Sequence, residues 1–195
     1  MKLLRALGIG LILLTVGALA GAATAWATVG KGEREGGEGP SSWRTSLNLG
    51  SSKTDALQRA ILARTGIWAL PASEVIYYSA DTDSEGRPFS RACDYEIVGR
   101  GDPPTRWWSI SLYRDNFWVD NPGDRYSFSK TTVTRTEDSR WRIHLSARPQ
   151  AGDWLPMGPK DGKFLLSYRL YQPEPSIAAD LKGAPLPPVR RLSCV

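Results

Sequence analysis

The sequence predicts a mainly β domain, an antiparallel β-sandwich or jelly roll with one short helix, preceded by a single N-terminal transmembrane helix. Three observations predict it. Residues 6–30 form an uncharged, largely apolar run. From Val75 onward the apolar residues recur with a period of two, the spacing of strands. Eight Trp, 14 Pro and 19 Gly in 195 residues favour strands joined by turns over a helical bundle.

Lys2 and Arg5 precede the apolar run, which carries Leu7, Ile9, Leu11, Ile12, Leu13, Leu14, Val16 and Leu19, then small residues and Trp26. A helix rising about 1.5 Å per residue needs about 20 residues to cross the hydrocarbon, and this run is long enough. The basic end is expected in the cytoplasm and Trp26 at the far interface. Ala23-Thr24-Ala25 and Ala25-Trp26-Ala27 also resemble signal-peptide cleavage sites, so a removed leader is the competing reading. The run exceeds a usual signal core, which favours a retained anchor. Either way the remainder lies outside the cytoplasm. The expected location is the inner membrane, single-pass, with the C-terminal domain on the periplasmic or extracellular side and the lipid bilayer as a partner.

Residues 31–42, KGEREGGEGPSS, hold no hydrophobic side chain and read as a flexible Gly-rich linker. Residues 43–195 follow as the β-sandwich domain. Ser52-Lys53-Thr54-Asp55 resembles a helix start, Leu57, Ala60, Ile61 and Arg64 keep helical spacing, and Gly66 can end a helix over residues 54–65. Strands are expected at 75–80, 95–98, 106–114, 117–119, 131–135, 140–146 and 164–171. In the third, Trp108, Ile110 and Leu112 should face the core, with Trp107, Ser109, Ser111 and Tyr113 opposite. Trp141, Ile143 and Leu145 are core positions of the sixth; Phe164, Leu166, Tyr168 and Leu170 alternate with Leu165, Ser167 and Arg169 in the last.

The net charge is small: 25 Lys plus Arg against 20 Asp plus Glu gives +5, with the basic residues scattered. Nothing in it points to nucleic acid.

Several spaced motifs resemble one family. Arg106-Trp107-Trp108-Ser109 with Tyr113, Asn121-Pro122, Arg125-Tyr126-Ser127, Trp154-Leu155-Pro156, Arg169-Leu170-Tyr171-Gln172-Pro173 and Pro187-Pro188-Val189 resemble the domain of unknown function 1214. Arg59-Ala60, Ala63, Gly66, Glu74 and Tyr77 are similar to the region before that core. The resemblance implies a jelly-roll-like β fold and no particular reaction. It also implies a short, membrane-anchored form without the domain of unknown function 1254 that precedes this domain in longer members.

Cys93 and Cys194, 101 positions apart, are expected to pair as a disulfide in an exported chain. A loop of that length gains at most about 4–5 kcal/mol on the entropic model. The tail from Pro185, PLPPVRRLSCV, is held extended by its prolines, so the bond would strap it beside the strand beginning near Asp94.

The remaining motifs are weak. His144, the only His, faces outward and would need Ser109 or Ser111 beside it to act as a base. Asp81-Thr82-Asp83-Ser84-Glu85-Gly86 begins like a calcium loop, but Ala92 stands where the bidentate Glu belongs, which leaves a polar turn. No metal site and no cofactor is indicated. Asp94 and Glu96 share a strand face, as paired carboxylates of a glycosidase can, or as a salt-bridged edge does. Arg106, Trp107, Tyr113, Arg125, Trp154 and Arg169 are the candidate ligand-binding set, because guanidinium forks beside flat aromatic faces suit sugars, carboxylates or aromatic ligands. The same residues also serve as ordinary scaffolding at strand ends.

The expected role is a non-catalytic module that binds an envelope protein or glycan, or has a structural role there through β-edge assembly. The alternative is a metal-independent enzyme acting on an envelope glycan or small acidic ligand.

Overall fold

A computed structural model describes residues 2–32, 39, 41–65, 68–121 and 123–195. The chain divides into two compact units, one of residues 1–36 and 54–67, the other of residues 37–53 and 68–195.

The first unit holds two helices. Helix α1 (Lys2–Gly32) contains a stretch, Arg5–Val29, long and apolar enough to cross a membrane. Its side chains from Leu7 to Leu19 are exposed all round. Helix α2 (Ala56–Thr65) starts two residues later than the spacing predicts, because the Asp55 carboxylate accepts the Gln58 N–H at 2.8 Å and caps it. The Arg64 guanidinium lies 4.1 Å over the Trp26 ring. The expected stop at Gly66 lies outside the described residues, as do residues 33–38 and 40 of the expected linker. Two residues of that linker, Lys31 and Gly32, are helical.

The second unit is mainly β. Its elements are β1 (Val75–Ala80), β2 (Cys93–Arg100), β3 (Thr105–Arg114), β4 (Phe117–Trp118), β5 (Ser127–Ser129), β6 (Arg140–Ser146), β7 (Trp154–Pro156), β8 (Phe164–Pro173), a short helix α3 (Pro175–Ala179) and β9 (Val189–Cys194). The larger sheet runs β1-β8-β3-β4, with β5 also paired to β3; the smaller runs β7-β6-β2-β9.

The alternation read from the sequence sets the core. Trp108, Ile110 and Leu112 of β3, Trp141, Ile143 and Leu145 of β6, and Phe164, Leu166, Tyr168 and Leu170 of β8 are all buried in one cluster. Trp108 of the larger sheet stacks on Trp141 of the smaller, with centroids 4.8 Å apart. Tyr168 meets Trp108 edge-on at 5.5 Å, and Trp43 meets Tyr168 at 5.7 Å. Each buried indole N–H has an acceptor: Trp108 the Asp102 carboxylate at 2.6 Å, Trp141 the Gly101 carbonyl at 3.0 Å, Trp43 the Pro187 carbonyl at 2.8 Å. Gly99 is required opposite Trp141, since a Cβ there would fall 2.1 Å from the indole ring.

Three expectations fail. A second short helix, α3, follows β8, whereas the sequence predicts only one; Pro175 lies in its first turn. No strand forms over residues 131–135, where the only pairing is an isolated bridge between Arg135 and Trp141. The Thr132 and Val133 amides donate back to the Ser129 carbonyl, and the Thr132 hydroxyl accepts the Ser129 N–H at 2.9 Å. Local hydroxyl bonding thus takes the place of a ladder. The sandwich is also not purely antiparallel, because β7 joins β6 in parallel register.

The tail forms an edge strand. Cys93 and Cys194 are bonded directly across the β2–β9 ladder, with Cα atoms 3.9 Å apart. The prolines at 185, 187 and 188 all precede β9, so they cost the ladder no donor. A second clamp lies in the 81–88 turn. Ser84 N–H donates to the Val189 carbonyl at 2.8 Å, and Val189 N–H donates to the Ser84 hydroxyl at 2.9 Å. The buried Asp83 carboxylate accepts the amides of Glu85 and Arg87 and pairs with Arg87 and Arg191. Burial works against its charge, but the Arg87 amide and guanidinium, the Glu85 amide and the Arg191 charge outweigh it and hold its pKa below the ordinary value.

A carboxylate with a lowered folded pKa stabilises the fold above the unfolded value of about 3.9, and that contribution is lost as pH falls through the folded pKa. Asp83→Asn should therefore cost on the order of 3 kcal/mol at pH 7 and flatten the loss of stability below about pH 4. Urea unfolding across pH measures both. An unchanged acid limb would show that Asp83 does not anchor the tail.

Candidate functional site

The outer face of the larger sheet gathers most of the chemistry. Because side chains alternate, burying Trp108, Ile110 and Leu112 turns Trp107, Ser109, Ser111 and Tyr113 outward. Burying Leu166, Tyr168 and Leu170 likewise turns out Ser167, Arg169 and Tyr171. The register aligns these positions in rows. Ser79, Ser167, Ser111 and Ser127 lie side by side across β1, β8, β3 and β5. Tyr77, Arg169, Ser109 and Ser129 form the next row.

Arg169 lies across this polar centre. Its Nη1 donates to the Ser111 hydroxyl at 3.0 Å and its Nη2 to the Tyr113 hydroxyl at 2.5 Å. Ser111 is almost fully covered although it faces outward. One aromatic group flanks each end. Tyr113 stacks on Trp118 at 4.5 Å, and Trp118 meets Tyr126 at 5.5 Å. At the other end Trp107 packs on Tyr171 at 5.1 Å.

A cavity of about 260 Å³ opens beside that second pair, lined by Leu70, Glu74, Arg106, Trp107, Tyr171 and Gln172 among others. Arg106 Nη1 donates to the Gln172 side-chain oxygen at 2.9 Å.

Of the six candidate residues, Arg106, Trp107, Tyr113 and Arg169 lie on β3 and β8, but as two separate pairs. Arg106 and Trp107 share the cavity, and Tyr113 and Arg169 share a hydrogen bond. The other two lie elsewhere. Arg125 stays exposed, with its guanidinium 5.0 Å from the centroid of the buried Phe128 ring. Trp154 belongs to the smaller sheet and donates its indole N–H to the Ser146 carbonyl at 3.0 Å.

The carboxylates belong to the smaller sheet as well. Asp94 accepts from Ser146 at 2.5 Å and pairs with Arg148, and Glu96 pairs with Arg142 at 3.4 Å. Burial opposes the Asp94 charge, but Ser146, Arg148 and Ser193 outweigh it and lower its pKa. His144 is on β6 of the smaller sheet, whereas Ser109 and Ser111 are on β3 of the larger. Among the described residues, no three His, Cys, Asp or Glu side chains group as metal ligands. A larger cleft of about 520 Å³ on the smaller sheet contains Arg135, Arg140 and Arg142. Each of these is already paired with a carboxylate, on Asp102, Asp138 and Glu96.

Residues 74–175, slightly more than half of the chain, match the family described as Protein of unknown function (DUF1214). The chain belongs to this family. The matched span runs from Glu74 through Pro175, so it holds every strand of the candidate face. The crystal structure of the VPA0106 protein from Vibrio parahaemolyticus is similar at a TM-score of 0.57 and 22% identity, over 72% of this chain and 36% of that one. A crystal structure of an uncharacterized protein from Burkholderia cenocepacia gives a TM-score of 0.45 at 15% identity, over 61% of this chain and 30% of that one. The chain thus spans about a third of the length of these structures, and the likeness to the Vibrio protein shows the fold alone. Among curated proteins, none matches the chain.

Sequence reasoning missed Tyr171, Gln172, Glu74, Trp118 and Tyr126 as site residues of this DUF1214 face. One signal was present: the period that puts Leu165, Ser167 and Arg169 on one face reaches Tyr171 two residues on.

Trp107 and Trp108 are neighbours on opposite faces of β3, half-buried and fully buried respectively. Trp108→Ala should cost about 3–5 kcal/mol. Trp107→Ala should cost about 1.5 kcal/mol or less, because its ring is still partly in water. Urea unfolding of the two variants tests this. Equal losses would mean that the outer ring serves the fold.

Proposed function

We propose that this chain is a membrane-anchored form of the family, a jelly-roll-like sandwich held outside the cytoplasm that binds an envelope component without transforming it. The observation that carries the reading is the outer face of the larger sheet. There Trp107 with Tyr171 at one end, and Tyr113 with Trp118 and Arg169 at the other, leave aromatic and guanidinium surface partly in solvent on a face that the core does not use. Aromatic faces with a few fixed polar groups are what a binding site offers.

The location rests on two further features. The Arg5–Val29 stretch has the length of a membrane span and Lys2 precedes it, and the positive-inside rule then supports a sandwich on the periplasmic or extracellular side of the inner membrane. The Cys93–Cys194 bond fits an oxidising compartment.

The enzymatic alternative has less behind it. A glycosidase needs two carboxylates flanking the scissile bond. Asp94 and Glu96 are engaged by arginines on the smaller sheet, and among the described residues Glu74 is the one carboxylate lining the aromatic cavity.

The test is capture of the full chain from crosslinked membranes, with the mass of the extracted protein measured in the same sample. The reading expects a retained N-terminal segment, a need for detergent, and a specific protein or glycan in the captured material. A mature N-terminus between residues 24 and 28 would remove the anchor. Capture of nothing specific, with no binding to cell-wall or polysaccharide material, would overturn the binding role.

A further inference from the structure

We infer that the cavity at the Trp107 end of the larger sheet is a subsite for one uncharged pyranose ring of a glycan. The inference rests on the binding role proposed above and names its ligand class.

Size comes first. At about 260 Å³ the cavity is smaller than the range of about 300–1,000 Å³ typical of drug-sized ligands, so it suits one ring or the end of a chain. Its wall is aromatic. Trp107 and Tyr171 lie 5.1 Å apart with their planes at 60°, and both keep part of their surface in solvent. A bent aromatic wall of this kind accepts the apolar C–H face of a sugar ring.

The polar groups are planar and of mixed sign. Arg106 and Gln172 stand opposite each other at the ends of β3 and β8 and are joined by a 2.9 Å hydrogen bond. Glu74 adds an acceptor. A sugar hydroxyl both donates and accepts, so neighbouring hydroxyls can use guanidinium N–H groups, the amide and the carboxylate together. A carboxylate ligand would meet Glu74, and a cation would meet Arg106. The set therefore favours a ligand that is polar and uncharged.

The backbone is shaped to hold this arrangement. Gln172 has φ of +46°, a left-handed conformation unusual for a residue other than Gly, and it directly precedes Pro173. Such strain persists where the surroundings enforce it, and it is concentrated at functional sites. Here the Gln172 N–H donates to the Glu74 carbonyl at 2.7 Å, which ties two lining residues together.

The neighbouring loop is fixed as well. Leu70 N–H donates to the Tyr77 hydroxyl at 3.1 Å, and Gly50, with φ of +70°, lets the 47–51 turn lie so close that a Cβ would fall 2.4 Å from the Ala69 carbonyl oxygen. Two residues before Leu70, Trp68 is 94% exposed. A ring this exposed, two residues from the cavity wall, is assigned to a second ring of the glycan.

The experiment uses the full chain in a detergent that has no sugar headgroup. Neutral cello-, malto- and chito-oligosaccharides are titrated while tryptophan fluorescence and saturation-transfer NMR are followed. At least one series should bind, with a dissociation constant on the order of 1 mM or tighter. Trp107→Ala and Arg106→Ala should each weaken binding at least tenfold, and Trp68→Ala should weaken longer oligosaccharides more than short ones. Arg190→Ala, on β9 of the smaller sheet, should leave binding unchanged.

Gln172→Gly separates site from scaffold. It should raise the unfolding temperature by relieving the left-handed strain, yet weaken binding. No response to any of the three series, or full binding by a folded Trp107→Ala variant, overturns the inference. If membrane capture still recovers a specific component in that case, the envelope-binding role stands and only its ligand class is wrong.

Discussion

The stack of Trp108 on Trp141 holds the two sheets together, and much of the molecule is arranged around it. A stacked indole pair buries a large apolar area, but each ring also brings an N–H that must be satisfied. One turn meets both needs. Gly101 offers its carbonyl to Trp141, and Asp102 offers its carboxylate to Trp108. Burial opposes the charge on Asp102, and the Trp108 indole together with Arg135 and Lys130 outweighs it and holds its pKa below the ordinary value. The Gly-Asp-Pro-Pro break between β2 and β3 therefore anchors the core from outside it.

Strand alternation then determines what the outside carries. When Trp108 turns inward, Trp107 must turn outward, and when Tyr168 and Leu170 turn inward, Arg169 and Tyr171 must turn outward. The outer face of the larger sheet is thus a consequence of the core. The smaller sheet differs. Its outer positions are taken up by ion pairs, Asp94 with Arg148 and Glu96 with Arg142, and its edge is closed by the tail through the disulfide and the Asp83 clamp. One face carries ion pairs, and the other carries half-buried rings and a guanidinium over covered serines.

The sequence carried the parts of this that depend on local periodicity. The inward sets of β3, β6 and β8 could be read from alternation, and the Cys93–Cys194 pair from the number of cysteines in an exported chain. Contacts set by long-range register could not be read. Whether Arg125 joins Arg169 or covers Phe128 depends on how the turn after Asn121 enters β5, where the Asn121 side chain accepts the Arg125 amide at 3.0 Å. Trp154 lies on the smaller sheet because β7 pairs in parallel with β6, which no hairpin signal announces. Residues 131–135 have a β-like composition, but their hydroxyls bond the local backbone instead. The cavity beside Trp107 needs Glu74, Arg106 and Gln172 from three separate strands or strand ends, and only the folded register brings them together.

The central claim is that the outer face of the larger sheet is the working surface. Hydroxyl-radical footprinting of the full chain, in native envelope and after extraction in detergent, tests it most directly. The account predicts that Trp107, Tyr171 and Trp118 are labelled less in the envelope than in the extract, while half-buried Trp154 on the smaller sheet is labelled equally in both. Equal labelling of the outer-face rings in the two states, or protection confined to the smaller sheet, would contradict it.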